Sequence, residues 1–169
     1  MRTTCLVVVA LMMAAGVRGQ SPAAHRSGVD RLARMAGRWT IEERYAGDSK
    51  VYRKISTCEL FQGGHHLVCR SSADTPLGPS TSLGILSFDP ADGSFTQYTI
   101  ASAGIAAIVR GTVTDTAWVG QTDFPFTGER IRATVTLTDE SPAAWIYKLE
   151  GSIGGSPLIT LLSAVGKKE

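Results

Sequence analysis

From Trp39 onward, apolar and polar residues alternate with a period of two, the spacing at which successive side chains of a β-strand point to opposite faces. The clearest segment is 130–137, in which the odd positions are apolar and the even positions are polar. One face of this strand is therefore expected to be buried and the other to face water. Residues 37–166 as a whole predict about ten such strands joined by turn signals.

The short connections favour an all-β fold, a single closed antiparallel up-and-down barrel that leaves no exposed sheet edge and can enclose a ligand. The alternative is a two-sheet sandwich, but its Greek-key topology usually needs longer crossing loops than this sequence offers. Strong turn signals occur at Gly63-Gly64 and at 89–93, and the Pro- and Ser-rich segment 74–80 is predicted to be a loop. The predicted strands are 39–45, 51–61, 67–69, 83–88, 95–100, 105–113, 117–122, 130–138, 145–149 and 158–165.

One short N-terminal helix is predicted at 27–36. Ser27 is placed to cap its start and Gly37 to end it. A helix of this length with one apolar stripe is not stable alone in water, so we expect it to lie across one end of the barrel as a lid. The stripe consists of Val29, Leu32, Met35 and Ala36.

Residues 1–19 have the layout of a secretory signal peptide, with Arg2 at the start, an apolar run at 6–15 and small residues before a cut preceding Gln20. The run is shorter than the ~20 residues that a membrane-spanning helix needs, although a retained anchor is the alternative. A lipid attachment site is disfavoured because Cys5 precedes the apolar run. The protein is therefore predicted to be exported, to the periplasm or the medium, with no membrane span in the mature chain.

After the leader, 20–26 is predicted to be a disordered spacer and 27–169 a single domain. Removal of residues 1–19 takes away Arg2 and Arg18 and no acidic residue, so 17 − 2 = 15 basic and 15 acidic residues remain. A neutral chain without a basic stripe gives nucleic acid no electrostatic footprint, so nucleic acid is not a predicted partner. The sequence does not indicate the oligomeric state.

Cys58 and Cys69 are predicted to form a disulfide. With Gly63-Gly64 at the centre of a hairpin, residues whose numbers sum to 127 face each other, and these two cysteines satisfy that sum. Directly opposed Cα atoms lie ~4.5–5.5 Å apart, a spacing that a disulfide accepts, and export supplies an oxidising compartment. The same register pairs Ser56 with Ser71 on the cysteine face, which is taken as the inward face. Two buried free thiols are the alternative.

No motif for catalysis or metal binding is present. Adjacent residues of a strand point to opposite faces, so His65 and His66 cannot readily chelate one ion, and no third ligand has metal-site spacing. For the same reason Glu42 and Glu43 cannot act as an acid–base pair. Nucleophile-elbow, zinc-protease, phosphate-loop and dinucleotide motifs are also missing. The sequence predicts neither a catalytic residue nor a metal nor a cofactor.

Four aromatic residues are candidates for lining a cavity. Trp145 and Tyr147 share a strand face with an apolar neighbour, and Trp39 and Tyr45 share a face of the first strand. Buried Trp and Tyr usually find partners for their polar atoms, so inward ones fit a pocket that contains polar groups or water. The alternative is a packed core in which Trp39 plugs the barrel beneath the helix.

The order of three motifs resembles the DUF1579 family of exported bacterial proteins of unknown function. They are Leu60-Phe61-Gln62-Gly63-Gly64-His65-His66-Leu67-Val68, then Leu83-Gly84-Ile85-Leu86-Ser87-Phe88-Asp89-Pro90-Ala91-Asp92-Gly93-Ser94-Phe95, and the final strand. The helix that runs into Gly37-Arg38-Trp39 is also similar to the opening of calycin-like barrels. The resemblance implies a lipocalin-like barrel and no established activity.

Together these features predict an exported barrel that binds a small hydrophobic or amphipathic ligand in its interior. The first alternative is a structural or interaction protein whose barrel is filled by side chains and whose outer face makes the contacts. The second alternative, an enzyme of unrecognised type, is the least favoured.

Overall fold

The computed structural model describes residues 22–61, 63–114 and 117–169, with only the backbone for 22–27. The predicted signal peptide, 1–19, lies outside the described residues. The elements are α1 (Pro22–Met35), β1 (Gly37–Tyr45), β2 (Tyr52–Leu60), β3 (His66–Thr75), β4 (Gly78–Asp89), β5 (Ser94–Ala101), β6 (Ile105–Val113), β7 (Ala117–Phe126), β8 (Glu129–Ser141), β9 (Ala144–Ile153) and β10 (Ile159–Lys168). Within this part of the chain, no helix is long and apolar enough to cross a bilayer.

The ten strands form a closed barrel in which each strand pairs with its neighbours in the chain and β1 pairs with β10. All the pairings are antiparallel, which confirms the predicted up-and-down barrel and excludes the sandwich. We call the end at which α1 enters β1 the covered end, and the opposite end the open end. The loops at the open end are 46–51, 76–77, 102–104, 127–128 and 154–158.

Two predicted boundaries were wrong. The segment 74–80 is a tight hairpin rather than a loop, with Thr75 paired to Gly78 and only residues 76–77 in the turn. The helix begins at Pro22, so it includes most of the segment predicted to be a spacer. Proline is favoured at the first position of a helix, where its missing N–H costs nothing, and this signal outweighed the Ser27 cap.

The hairpin between β2 and β3 has the predicted register. Cys58 lies opposite Cys69, and the two form a disulfide with an S–S distance of 2.07 Å and a Cα–Cα distance of 4.0 Å. Gly63 and Gly64 have φ angles of 89° and 76°, the left-handed values that the turn requires. Leu67 is completely buried on the same strand face, so the cysteine face points into the barrel.

The helix α1 covers one end of the barrel, as predicted. Leu32 is completely buried beneath it, and the Trp39 indole N–H donates to the Met35 carbonyl oxygen at 2.8 Å. Arg31 is also buried, and its Nε lies 2.7 Å from the Asp139 carboxylate at the end of β8. The lid is thus held to the barrel by apolar packing and by a buried ion pair.

Candidate functional site

The half of the barrel below the lid is filled with large apolar side chains. Trp118 is 1% exposed, and its ring packs against Phe95 and Phe88 at centroid distances of 5.2 and 6.2 Å. Trp39 lies 5.9 Å from Trp145 in the same core. This half is a plug of buried apolar side chains, and it closes the covered end.

The half nearer the open end is lined differently, and we call it the chamber. On β3 to β5 the side chains that point into it are short and polar or very small, and they remain half-buried rather than fully buried; on β2, Ser56 is of the same kind, whereas Tyr52 and Lys54 are larger. These residues are too small to fill the interior from their side, and each keeps part of its surface accessible. This polar wall consists of Ser56, Ser71, Ala73, Ser82, Thr99 and Ala101.

The opposite wall of the chamber is apolar. Phe124, Ile131 and Leu161 are buried together in a second cluster on β7, β8 and β10, with Leu149 packed against them. Thr122 also faces inward here, and its buried hydroxyl has no hydrogen-bond partner among the described residues. The chamber therefore has an apolar side and a hydroxyl-bearing side, which matches the two ends of an amphipathic molecule.

A charged cluster lies between the two walls. Glu43 is only 4% exposed, and its carboxylate accepts a hydrogen bond from the Tyr45 hydroxyl at 2.7 Å and one from the Lys54 ammonium at 3.1 Å. The Tyr45 ring packs edge-on against Tyr52 at 5.5 Å. Burial and the charge of Glu43 raise the pKa values of both Tyr45 and Tyr147 well above 10.0. At neutral pH the cluster therefore presents two neutral phenols beside a compensated ion pair.

These tyrosines make the alkaline stability of the fold testable. Because their folded pKa values are raised, the folded protein retains protons that the unfolded chain releases, so stability is intact below about pH 10 and falls as pH rises further. In an alkaline titration followed by tyrosinate absorbance, part of the signal should appear only when the barrel unfolds. Tyr45→Phe with Tyr147→Phe should reduce that late amplitude. Complete ionisation in the folded protein would contradict this assignment.

Three of the four predicted lining residues belong to the plug or pack against it. Trp39 is a member of that core, which was the stated alternative for it, and Trp145 and Tyr147 pack against the same core. Tyr45 lies outside the plug, and the charge of Glu43 acts on both tyrosines. Of the four, Tyr45 is therefore placed nearest the chamber, with Tyr147 at its boundary with the plug, and the lining by these two residues stays a prediction.

Sequence reasoning missed Lys54 and recognised only part of the polar wall. The inward direction of Lys54 could have been predicted, because Lys54 and Ser56 share a strand face with Cys58, which was predicted to point inward. Lysine inside a barrel is unusual without a partner, and Glu43 was not recognised as that partner. The Ser56–Ser71 pairing was predicted, and their hydroxyls are 2.9 Å apart.

The remaining polar candidates do not converge on one site. His66 is exposed and its Nδ1 lies 2.9 Å from the Ser87 hydroxyl, while the buried Nδ1 of His65 has no partner among the described residues. The side chain of His25 lies outside the described residues. Within the described ranges, no group of three His, Cys, Asp or Glu side chains is arranged to hold a metal ion.

Two grooves also mark the outer wall of the barrel. The first, of about 810 Å³, crosses β1 to β5 and is bordered by Arg38, Arg70 and Ile100. Three residues of the polar wall also touch it: Ser71, Ser82 and Ala101. The second, of about 680 Å³, crosses β6 to β9 and includes Ala106 and Leu158. Both are shallow, so they differ from the concave, largely enclosed shape of small-molecule sites.

Similar folds occur in solved structures. Rv2717c from M. tuberculosis is 17% identical with a TM-score of 0.61, and the match covers 84% of this chain and 97% of that one. The S-type phycobiliprotein lyase CPES from Guillardia theta is 8% identical with a TM-score of 0.53, over 87% of this chain and 96% of that one. At these identities the likeness shows the fold alone. No curated protein is similar to the chain in sequence.

The family relationship comes from the sequence itself. The model of DUF1579, a protein of unknown function, matches residues 25–141. That range runs from α1 to the end of β8 and contains two of the three motifs on which the resemblance was based. Because the match spans more than half of the chain, the protein belongs to the DUF1579 family.

Proposed function

We propose that this protein is an exported barrel that binds a small amphipathic ligand in its chamber. The observation that carries the proposal is that small inward-facing residues on β3 to β6, exemplified by Ser71, Thr99 and Ala107, are not fully buried. Space of this kind, bounded by apolar surface and a few placed polar groups, is typical of small-ligand sites in the mouths of barrels. Export is supported by the signal-peptide pattern and is consistent with the disulfide.

The division of the chamber suggests how the ligand would be oriented. Its apolar part would lie against Phe124, Ile131 and Leu149, where burial of apolar surface contributes roughly 25 cal/mol per Å². Its polar part would face the hydroxyls of β2 to β5 and the Glu43–Lys54 pair. Lys54 uses one ammonium hydrogen on Glu43 and keeps the others for an acceptor on the ligand.

Adjacent alanines on β6 provide a matched test. Ala107 faces the chamber and Ala106 is exposed on the outer wall. Ala107→Trp should fill the chamber and reduce binding of a fluorescent probe such as anilinonaphthalene sulfonate by tenfold or more, while Ala106→Trp should leave binding unchanged. The measurement is a probe titration of each variant after its fold has been checked by circular dichroism.

The same pair of variants can contradict the proposal. Ala106 borders the outer groove on β6 to β9, so loss of binding in Ala106→Trp alone would move the ligand to that outer groove. Equal binding by both variants would remove the chamber from consideration. Mass spectrometry of molecules released from the denatured protein would then identify what, if anything, co-purifies with it.

The outer wall supports a second candidate function. Tyr98, Ile100 and Ile108 are 45%, 57% and 40% exposed on neighbouring strands β5 and β6, where Tyr98 lies directly opposite Ile108. Contiguous apolar side chains on a protein surface often mark an interaction site. An interaction protein would lose partner binding in Tyr98→Ser with Ile108→Ser, and its chamber would be dispensable.

A further inference from the structure

The open end of the barrel carries exposed aliphatic side chains on three separate loops or loop edges. Leu158 is 74% exposed and Leu77 is 63% exposed, and both lie in turns. Val51, Ile159 and Ile153 border the same loops and are 43%, 47% and 40% exposed. We call these five residues the aliphatic rim. They lie along one side of the barrel's open end, at the loops between β1 and β2, between β3 and β4, and between β9 and β10.

The loops of the open end are almost uncharged. All five loops are described, and Asp48 and Lys50 are their only charged residues. Both belong to one loop and are satisfied locally: the Asp48 carboxylate accepts hydrogen bonds from the Tyr52 hydroxyl at 2.6 Å and the Lys50 backbone N–H at 2.8 Å. The Lys50 ammonium lies over the Tyr52 ring at 4.6 Å. Exposed charged residues stand at the strand ends beside the loops, and they include both signs: Arg53 and Arg130, Asp74 and Glu129.

At the covered end, ion pairs join Arg31 to Asp139 and Arg38 to Glu169. Exposed apolar side chains occur at that end too, next to the β2–β3 hairpin. The open end differs in that four of its five loops contain no charged residue, while three of the five carry or border exposed aliphatic side chains.

We propose that the aliphatic rim docks onto the surface of a lipid bilayer, so that the chamber opens towards the lipid. Isolated aliphatic side chains at the tips of loops can enter the boundary between headgroups and acyl chains, and their apolar area contributes to binding there. Four of the five loops contain no charged residue and the charges beside them are of both signs, which favours a surface that is recognised without ion pairing.

A protein partner fits these residues less well. Hot spots of protein interfaces are enriched in Trp, Tyr and Arg, and Leu is under-represented in them. The rim consists of Leu, Ile and Val on three separate loops rather than on one continuous strand face. A bilayer accommodates such separate side chains because lipid molecules rearrange around each inserted one.

Vesicle binding tests the proposal with a matched control at the other end of the barrel. Leu60 and Phe61 are 41% and 61% exposed next to the β2–β3 hairpin at the covered end. The full mature chain should bind vesicles of phosphatidylcholine, and binding should persist at high salt because it does not depend on charge. Leu77→Ser with Leu158→Ser should lower the partition coefficient roughly tenfold or more, and Leu60→Ser with Phe61→Ser should leave it unchanged.

Three results would overturn the proposal: no binding to phosphatidylcholine, equal loss of binding in both double variants, or binding only to anionic vesicles that salt abolishes. Sedimentation that shows a dimer lost in Leu77→Ser with Leu158→Ser would assign the rim to a second copy of the chain instead. Docking does not require an occupied chamber, so Ala107→Trp should bind vesicles normally. Failure of the ligand site and failure of the rim are therefore distinguishable.

Discussion

Trp118→Ala is expected to lower the free energy of unfolding by about 3–5 kcal/mol, the range for truncation of a large buried aromatic side chain. Trp118 is the largest fully buried side chain among the described residues and contacts Phe88, Phe95 and the Arg31 guanidinium. Its loss would open a cavity between the plug and the lid. Denaturant unfolding followed by circular dichroism measures the effect, which should also appear as a fall in Tm of roughly 10 °C.

Two further variants test whether lost packing is the cause of the destabilisation expected for Trp118→Ala. The buried indole N–H of Trp118 has no partner among the described residues, so Trp118→Phe removes volume but no hydrogen bond and should cost clearly less than Trp118→Ala. Tyr98→Ala, an aromatic truncation on the exposed outer wall, should change stability by about 0.5 kcal/mol or less. Equal effects of Trp118→Ala and Tyr98→Ala would show that the plug does not hold the barrel together.

Lys54→Met is expected to lower the free energy of unfolding by about 1–3 kcal/mol. Breaking a fully buried ion pair typically lowers it by more, roughly 3–5 kcal/mol. The substitution leaves the Glu43 carboxylate inside the barrel with the Tyr45 hydroxyl but without its ammonium partner. We expect the smaller loss because the Lys54 side chain is 28% exposed. Urea unfolding at neutral pH provides the measurement.

The double variant Glu43→Gln with Lys54→Met should recover part of this loss, because a neutral amide still accepts the Tyr45 hydrogen bond and needs no counter-charge. Arg130→Met is the control, since the Arg130–Asp123 ion pair on the outer wall has side chains 62% and 39% exposed and should contribute about 1 kcal/mol at most. A loss in Arg130→Met as large as that in Lys54→Met would contradict the distinction between interior and surface pairs.

The features of the fold that depend on local pattern were predictable. Alternation placed the strands, and the Gly63-Gly64 turn fixed the register that brings Cys58 opposite Cys69. The segment 74–80 was misjudged because proline and serine suggest a loop, whereas Pro79 lies next to the turn at a strand end, where one missing N–H matters least. In the closed barrel, β3 and β4 therefore stay paired up to this turn.

The candidate site was predictable only in part, because a strand pattern gives the face of a residue but not its level along the barrel axis. Trp39 and Tyr45 share one face of β1, yet the first belongs to the plug and the second to the chamber. Nor does the pattern of one strand reveal contacts across strands. Glu43 and Lys54 are recognisable as partners only when the β1–β2 register is known, which places Lys54 beside Ile41 and diagonally across from Glu43.

The last residues of the chain are fastened beside the lid at the covered end. The Lys168 ammonium donates to the Arg34 carbonyl oxygen at 2.9 Å, and the Glu169 carboxylate pairs with Arg38. A tag or tether fused after Glu169 would therefore leave from the side of the lid. Protein immobilised by such a handle would present its open mouth to the solution, which suits surface-based measurement of both ligand and vesicle binding.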